Sequence, residues 1–417
     1  MIAEILSTGD EICQGSVIDS NSAHIAVLLN EIGAHVTRHS CVGDNMDELA
    51  SMLSEIAVRA DIAVITGGLG PTIDDLSAEA AAKAFGVDLQ LDPDAAKSIK
   101  TYFAKFSRKM SRSDIKQAML PAGASPIVNA YGTAPGFIFN IGRCRCYFLP
   151  GVPKEMERMV SEAVVPDILA FFGEQQDTVT LRKQLSLFGL PEALVNEKLN
   201  RFESLFPNVK LGMLARFPVI TVKMTAVGTD RASLVDEIEK AGKWSAEQLG
   251  DKVFSLEGRS MEAEIASLLI KSRVTIGVAE SCTGGLIAHL LTNIAGSSDY
   301  FLFSGVTYSN EAKVSILGVS EKTLKTYGAV SEETVREMAD GARRISGATC
   351  GLATSGIAGP TGGTDEKPVG TVCVGISMKD KTLGYRFHSP FKERLSNKQI
   401  FAICALDLLR KQILMAS

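Results

Sequence analysis

Apolar runs that end in glycine recur along this chain, and they leave it few folds. Asp61 to Thr66 opens into Gly67-Gly68, Arg273 to Ala279 leads into Ser281-Cys282-Thr283-Gly284-Gly285, and Ala348 to Thr354 runs into Ser355-Gly356. A short run buried on both faces, then a turn of small residues, then helical spacing, predicts a parallel strand in an open α/β sheet. The intervening segments fit. Ile25, Leu28, Leu29 and Ile32 follow Asn21 or Ser22, either of which can cap a helix, and Leu49, Met52, Leu53 and Ile56 share one face of Met46 to Arg59. Phe137 to Phe148 reads as a hairpin around Gly142, Lys154 to Ala163 as a helix, and Asn397 to Met415 as a final amphipathic helix.

The expected fold class is α/β, with two doubly wound α/β domains joined by a small α+β module. At roughly 100–200 residues per domain, a chain of 417 residues holds two or three. The composition turns polar at Phe172-Gly173-Glu174-Gln175-Gln176-Asp177, and a new strand–helix alternation begins near Ser260. The boundaries are placed at 1–170, 171–257 and 258–417. The middle section shows two strand signals, Thr178 to Phe188 and Val219 to Val227, with helices near Pro191 to Arg201 and Arg231 to Leu249. It has no glycine-rich catalytic loop and reads as a spacer or dimerisation module, so a homodimer is expected.

Composition narrows function. A net charge of −5, 22% charged residues and a pI near 5.7 give no pull toward nucleic acid or an anionic membrane. Met1 leads straight into Ile2-Ala3-Glu4-Ile5-Leu6 without a basic region, and no apolar stretch reaches the ~18–20 residues of a membrane span. The eight cysteines lack zinc-site spacing and are expected to be free thiols, which places the chain in the cytoplasm. Cys144 and Cys146, two apart on a strand-like run, are expected to alternate faces. None of the five histidines lies in a glycine-rich motif, so a hydrolase built on this chain would take its base from another residue.

Ser281 sits where a strand turns into a helix. That position exposes a side chain at the sheet's carboxyl edge among unpaired N–H groups of the helix start, which suit an oxyanion. Gly284 and Gly285 clear the approach. Alone, Ser281 reads equally as a helix N-cap. Tyr308-Ser309-Asn310-Glu311-Ala312-Lys313 again follows a strand and starts a helix, with Lys313 about one turn inside. Ser355-Gly356-Ile357-Ala358-Gly359-Pro360 follows a third strand. Three such loops at equivalent strand ends describe a ligand crevice. Lys313, flanked by Ala312, Val314 and Ile316, would serve as a base if burial kept it neutral, or it is a surface lysine. Tyr308 could relay a proton or hold the lysine by hydrogen bond. Asn310, Ser355 and the N–H groups around Ala358 and Gly359 could bind substrate. Arg394 either pairs with a phosphate or lies on the surface.

The segments Ala279 to Gly285, Tyr308 to Lys313 and Thr354 to Pro360 resemble the signature of the CinA C-terminal domain, known as nicotinamide mononucleotide deamidase. The resemblance implies hydrolysis of the nicotinamide amide to nicotinate mononucleotide and ammonia without a metal. Ser281 would be the nucleophile, Lys313 the base and Tyr308 its helper. Cys282, Thr283, Gly284, Asn310, Ser355, Gly356, Ala358, Gly359 and Arg394 would bind substrate. The family pattern has a second arginine shortly after Arg394; this chain has Lys398.

In the N-terminal third, Thr66-Gly67-Gly68-Leu69-Gly70-Pro71-Thr72 ends a buried strand, where glycine amides can approach a phosphate. Asp74 and Asp75 follow. Adjacent carboxylates beside such a loop suit a hard divalent cation; for Asp74 and Asp44 the alternative is a helix cap. Glu155, in Leu149 to Met156, supplies one more carboxylate. Together these segments resemble the molybdopterin-binding-like domain of CinA proteins, with Ser77 where the pattern has threonine. That resemblance implies metal-dependent hydrolysis of ADP-ribose to AMP and ribose 5-phosphate. Gly67, Gly68, Gly70 and Thr72 would hold the pyrophosphate, and Asp44, Asp75, Asp74 and Glu155 a Mg²⁺, Mn²⁺ or Co²⁺ ion. Both substrates belong to pyridine-nucleotide breakdown and NAD salvage. The middle section resembles CinA's KH-like module but lacks a Gly-x-x-Gly loop with basic flanks, so no nucleic-acid partner is inferred. Two other readings stay open: an N-terminal half that only binds a pterin or nucleotide, and a non-enzymatic role in DNA uptake or repair, which the acidic charge disfavours.

Overall fold

In the computed structural model, residues 1–105, 107, 111–173 and 179–416 are described. The polar stretch Glu174 to Asp177, where a boundary was placed, and Thr178 lie outside them. The chain divides into two compact units, Met1–Thr180 with Gly228–Asp230, and Leu181–Val227 with Arg231–Ser417.

The first unit is built on a six-stranded sheet among the described residues. In chain order the strands are β1 (Ile2–Thr8), β2 (His35–Val42), β3 (Ile62–Thr66), β4 (Leu89–Leu91), β5 (Met119–Pro121), β6 (Ser125–Ile127), β7 (Gly136–Ile141) and β8 (Cys144–Leu149). The sheet order is β2-β1-β3-β8-β7-β6; β2, β1, β3 and β8 run parallel, and β4 pairs with β5 apart from it. Successive residues of β3 divide between two cores. Ile62 and Val64 meet Ile25, Leu29 and Met156 on one face, while Ala63 and Ile65 meet Leu49, Leu53 and Ala80 on the other. A strand with period-two side chains and both faces covered must be apolar throughout, which is why Ile-Ala-Val-Ile-Thr is legible as buried and parallel. Strand order 2-1-3 reverses at β1, and the carboxyl ends of β1 and β3 therefore border a crevice.

The expected hairpin around Gly142 is β7–β8. Cys144 and Cys146 do not alternate faces. Residues i and i+2 of a strand share a face, and both thiols are buried in one core with sulfurs 3.7 Å apart. The helix Ser20–Glu31 is capped by Asp19, which accepts from Ser22 N–H, and not by Asn21 or Ser22. The helix expected over Lys154 to Ala163 runs as Pro153–Met159, then a wider turn at Val160–Val164, then Val165–Phe172.

The second unit carries two sheets. One has the order β10-β11-β9-β12, from β9 (Val179–Phe188), β10 (Val209–Arg216), β11 (Val219–Gly228) and β12 (Val253–Ser255). The other has the order β14-β13-β15-β16-β17, from β13 (Ile276–Glu280), β14 (Phe301–Val306), β15 (Cys350–Gly356), β16 (Thr371–Ser377) and β17 (Thr382–His388). In the latter β13, β14 and β15 are parallel, and β16 and β17 add antiparallel. Helices Met261–Ser272, Leu286–Thr292 and Arg394–Ala416 bury Ile265, Ile287 and Phe401 against one face; Glu332–Ser346 covers the other with Val335, Met338 and Ala342. Phe188 and Val219 of the smaller sheet pack against the first of these cores. Among the described residues no helix is long and apolar enough to cross a membrane.

Candidate functional site

At the carboxyl edge of the five-stranded sheet, Ser281 follows β13, and its N–H donates to Thr354 O of β15 at 3.0 Å. The next helix begins only at Leu286, with Gly285 (φ 91°) as N-cap and no capping hydrogen bond from a cap side chain. Ser281 is therefore not a helix cap. The cap is supplied from the strand: Glu280, fully buried, accepts from the N–H groups of Gly285 (3.0 Å), Ile287 (3.2 Å) and Ala288 (2.9 Å). A carboxylate is favoured there by the positive end of the helix. This corrects the expectation that helix-start donors stand free around Ser281. The donors left over are the turn amides of Thr283 and Gly284, which have no acceptor among the described residues. Glu280→Ala strands three donors, one buried and two partly buried, so a loss of roughly 2–4 kcal/mol is expected in chemical denaturation. An unchanged midpoint would show that the carboxylate does not hold this turn.

The neighbouring loop brings the amine. Helix Asn310–Leu317 is capped by Ser309, whose hydroxyl accepts from Ala312 N–H, and Lys313 on its first turn is 1% exposed. Lys313 Nζ lies 3.2 Å from Ser281 Oγ, 3.0 Å from Thr307 O and 3.0 Å from Tyr308 O. A neutral amine has two N–H donors and one lone pair. In that form the two carbonyls would take the donors, and the lone pair would face the serine hydroxyl. Burial pushes the lysine pKa below its usual range, against weaker opposing pulls from Cys282 and Glu311. Lys313 is thus buried with its pKa lowered, as a lysine base would require, and the surface-lysine reading does not hold.

Tyr308 is placed differently from expectation. It reaches Lys313 through its carbonyl, while its exposed phenol accepts from Arg394 Nη2 at 2.9 Å. Arg394, expected just before the last helix, is its first residue and also donates to Gly359 O at 3.0 Å. Lys398, one turn on, shares its face. A Cβ built on Gly284 would sit 3.4 Å from Lys398 Nζ, so glycine with φ 60° lets a second cation close on the serine turn.

Other expected contacts are absorbed by the fold. Cys282 is buried, with its thiol pushed up to about 12 by burial, which disfavours it as a nucleophile. Thr283 Oγ1 bonds Thr354 Oγ1 at 2.8 Å, and Ser355 Oγ donates to Ala329 O at 2.6 Å; both side chains face inward. Gly356 makes room for β16, since a Cβ there would lie 2.6 Å from Thr371 O. Ala358 O accepts from the buried Asn397, and the Ala358 and Gly359 amides have no acceptor among the described residues. Asn310 is exposed at the start of its helix.

A cavity of about 540 Å³ opens at the ends of β1, β3 and β8 in the first unit. Gly67, Gly68, Gly70, Asp44, Asp74, Asp75 and Glu155 all line it; Thr72 does not. The amides of Gly68, Leu69 and Gly70 have no acceptor among the described residues, which suits an anion. Neither Asp44 nor Asp74 is a helix cap. Asn45 caps Met46–Arg59, and Ser77–Phe85 starts after Leu76 with no capping side chain. Asp44 and Asp10 instead accept each other's N–H at 3.2 and 3.1 Å. Burial raises the Asp44 pKa, and the charges of Asp10, Glu11 and Asp74 add to the rise against the Asp10 N–H bond. Asp75 folds back on its own loop, accepting from Thr72 N–H (2.8 Å) and hydroxyl (2.6 Å), and Lys116 clamps the same loop through the carbonyls of Thr72 and Asp75. Glu155 accepts from Asn129 Nδ2 at 2.7 Å.

Among the described residues no three His, Cys, Asp or Glu side chains gather to hold an ion by themselves. The four expected ligands thus form no closed cage. The residues still fit a hard cation held by one or two carboxylates and completed by substrate phosphate oxygens. Three further polar atoms at residues lining the cavity are buried without partners: Thr8 Oγ1, Asn21 Oδ1 and Gln117 Oε1. The amide nitrogens of Asn21 and Gln117 are committed to the carbonyls of Gly151 and Leu69, so their oxygens are left to accept. No motif marks Gln117, which reaches the cavity from a sequence-distant helix end.

Comparison with known proteins bears on both sites. The family profile described as "CinA C-terminal domain" matches residues 258–413, and that described as "Probable molybdopterin binding domain" matches residues 4–170. A CinA-like protein of Desulfosudis oleivorans is 51% identical over 414 residues, spanning 99% of this chain and 100% of that one. A CinA-like protein of Geobacter metallireducens is 41% identical over 416 residues, spanning 99% and 100%. Among solved structures, a CinA protein of unknown function from Thermoplasma acidophilum is 38% identical with a TM-score of 0.38, covering 40% of this chain and 97% of its own.

Proposed function

Because the chain belongs to the CinA family, we propose that its C-terminal unit is an amidohydrolase that converts nicotinamide mononucleotide to nicotinate mononucleotide and ammonia. The observation that carries the reading is the 3.2 Å contact between the buried Lys313 amine and the Ser281 hydroxyl.

Neutral Lys313 takes the Ser281 proton as Oγ attacks the amide carbonyl carbon. The resulting oxyanion is met by main-chain N–H groups of the serine turn, for which Thr283 and Gly284 are the open donors. The lysine, now protonated, gives its proton to the leaving nitrogen, and the C–N bond breaks to release ammonia. Water then hydrolyses the serine ester with Lys313 again as base, giving the carboxylate and the free hydroxyl. Arg394 and Lys398 place two positive charges on one helix face beside these loops, suited to the mononucleotide phosphate. Tyr308 orients Arg394 through its phenol and Lys313 through its carbonyl. Incubating purified protein with nicotinamide mononucleotide and assaying ammonia tests the reading. Absence of turnover in a folded protein rejects it.

For the first unit we propose hydrolysis of ADP-ribose to AMP and ribose 5-phosphate, supported by open glycine amides and carboxylates around one cavity. A divalent cation held by Asp44 or Asp74 would supply charge neutralisation at the pyrophosphate. Gly68 and Gly70 bind its oxygens through N–H groups, and Asp75 keeps Thr72 in place. Asp75→Ala is expected to lower AMP formation on the order of 10²-fold, and a chelator to stop it, with ammonia release unaffected. AMP formation unchanged by both would leave this half as a binding module. A cytoplasmic location and a homodimer belong to the same proposal; light scattering on the eluting protein reads the latter.

A further inference from the structure

Next in sequence to Glu11 and Ile12, which line the N-terminal cavity, Cys13 belongs to a cysteine pair that neither proposed reaction uses. Cys13 closes the short helix Asp10–Cys13, and Cys41 lies near the end of β2. Both are free and exposed, and their sulfurs are 3.2 Å apart. Twenty-eight residues of sequence separate them, so tertiary structure creates the contact. Gly9 N–H donates to Val42 O at 3.1 Å, and Asp10 and Asp44 bond reciprocally, so the segment is fixed at the end of β2 on one side of the pair. Along β2, Val42 points into the core and Cys41 points out. The other close pair, Cys144 and Cys146, is buried and closed to oxidants.

We propose that Cys13 and Cys41 are a reversible disulfide site, taking a peroxide as oxidant and a small thiol as reductant. The Cys13 sulfur attacks the peroxide oxygen, the O–O bond breaks, and a sulfenic acid forms as the alcohol or water leaves. The Cys41 sulfur then displaces hydroxide, which departs as water with the thiol proton. Two thiols lose two electrons and two protons, and one peroxide is reduced. Burial and the Cys13 thiol push Cys41 up to about 12, which disfavours Cys41 as the sulfur that attacks the peroxide first. The consequence is local. Glu11 and Ile12 line the cavity between the tethered ends, so oxidation fixes one wall of the ligand site.

Trypsin separates the two sulfurs cleanly. Cleavage after Arg38 and Arg59 yields peptides 1–38 and 39–59, each with a single cysteine. Full-length protein is treated with hydrogen peroxide, excess thiols are alkylated, and the digest is read by mass spectrometry. The expected result is a linked 1–38/39–59 species, lighter by two hydrogens than the separate peptides and abolished by dithiothreitol. The Cys13→Ser and Cys41→Ser variants should each lack it. Two separately alkylated peptides after treatment, or sulfinic acids with no linked species, would overturn the proposal. So would a linkage involving any other cysteine in place of this one.

Discussion

Ser281→Ala is expected to lower ammonia release from nicotinamide mononucleotide by on the order of 10⁴-fold or more, because removing an activated nucleophile costs most of the chemical step. The fold should not notice. Ser281 Oγ bonds the lysine amine, which keeps its two carbonyl partners, so the change in unfolding free energy should stay within about 1 kcal/mol. Substrate affinity should also persist, since the cations placed for phosphate sit on the last helix. A kcat collapse with retained binding and stability separates a reacting group from a structural one. Wild-type activity in the variant would remove Ser281 from the mechanism.

Lys313→Met is expected to cost at least 10²-fold in kcat/KM, the lower range for loss of a positioned base. It should also be far from additive with Ser281→Ala, because the two groups act as one unit. The pH dependence carries more information than the magnitude. Only the neutral amine accepts a proton, so the wild-type rate should rise with pH through the lowered pKa of Lys313 and then level. The variant should lack that limb. Stability follows the same group with a definite sign. Between the depressed folded pKa and the unfolded value of about 10.4, the unfolded chain binds more protons at this site, so stability rises with pH across that window. Lys313→Met should remove that increment. A pH profile unaltered by the substitution would mean another group titrates.

Much of this was legible because single local rules decided it. The apolar strand Ile62 to Thr66 needs both faces covered, and the glycines after it need a positive φ that few other residues tolerate: Gly67 has φ 107° and Gly68 φ 66°. The serine and lysine loops were legible for the same reason, each being a strand end that turns into a helix. What escaped was set by how each loop bends in space, near or far in sequence, and not by spacing. Nothing near Glu280 says that its carboxylate will turn forward to cap the helix after Ser281 and use up the expected donors. The same holds for the Tyr308 phenol, which meets an arginine 86 residues away. Asp75 looked like a metal ligand from its neighbours, yet one of its two oxygens is taken by Thr72, three residues back. The Cys13–Cys41 contact depends on how a four-residue helix docks on β2, which no spacing rule encodes.

The activation of Ser281 by Lys313 can be read without any substrate, from the rate at which a serine-directed fluorophosphonate modifies the native protein. Labelling should map to the peptide containing Ser281, speed up with rising pH, and fall by at least about 10²-fold in Lys313→Met. Labelling that maps elsewhere, or that proceeds at Ser281 equally fast without the amine, would contradict it.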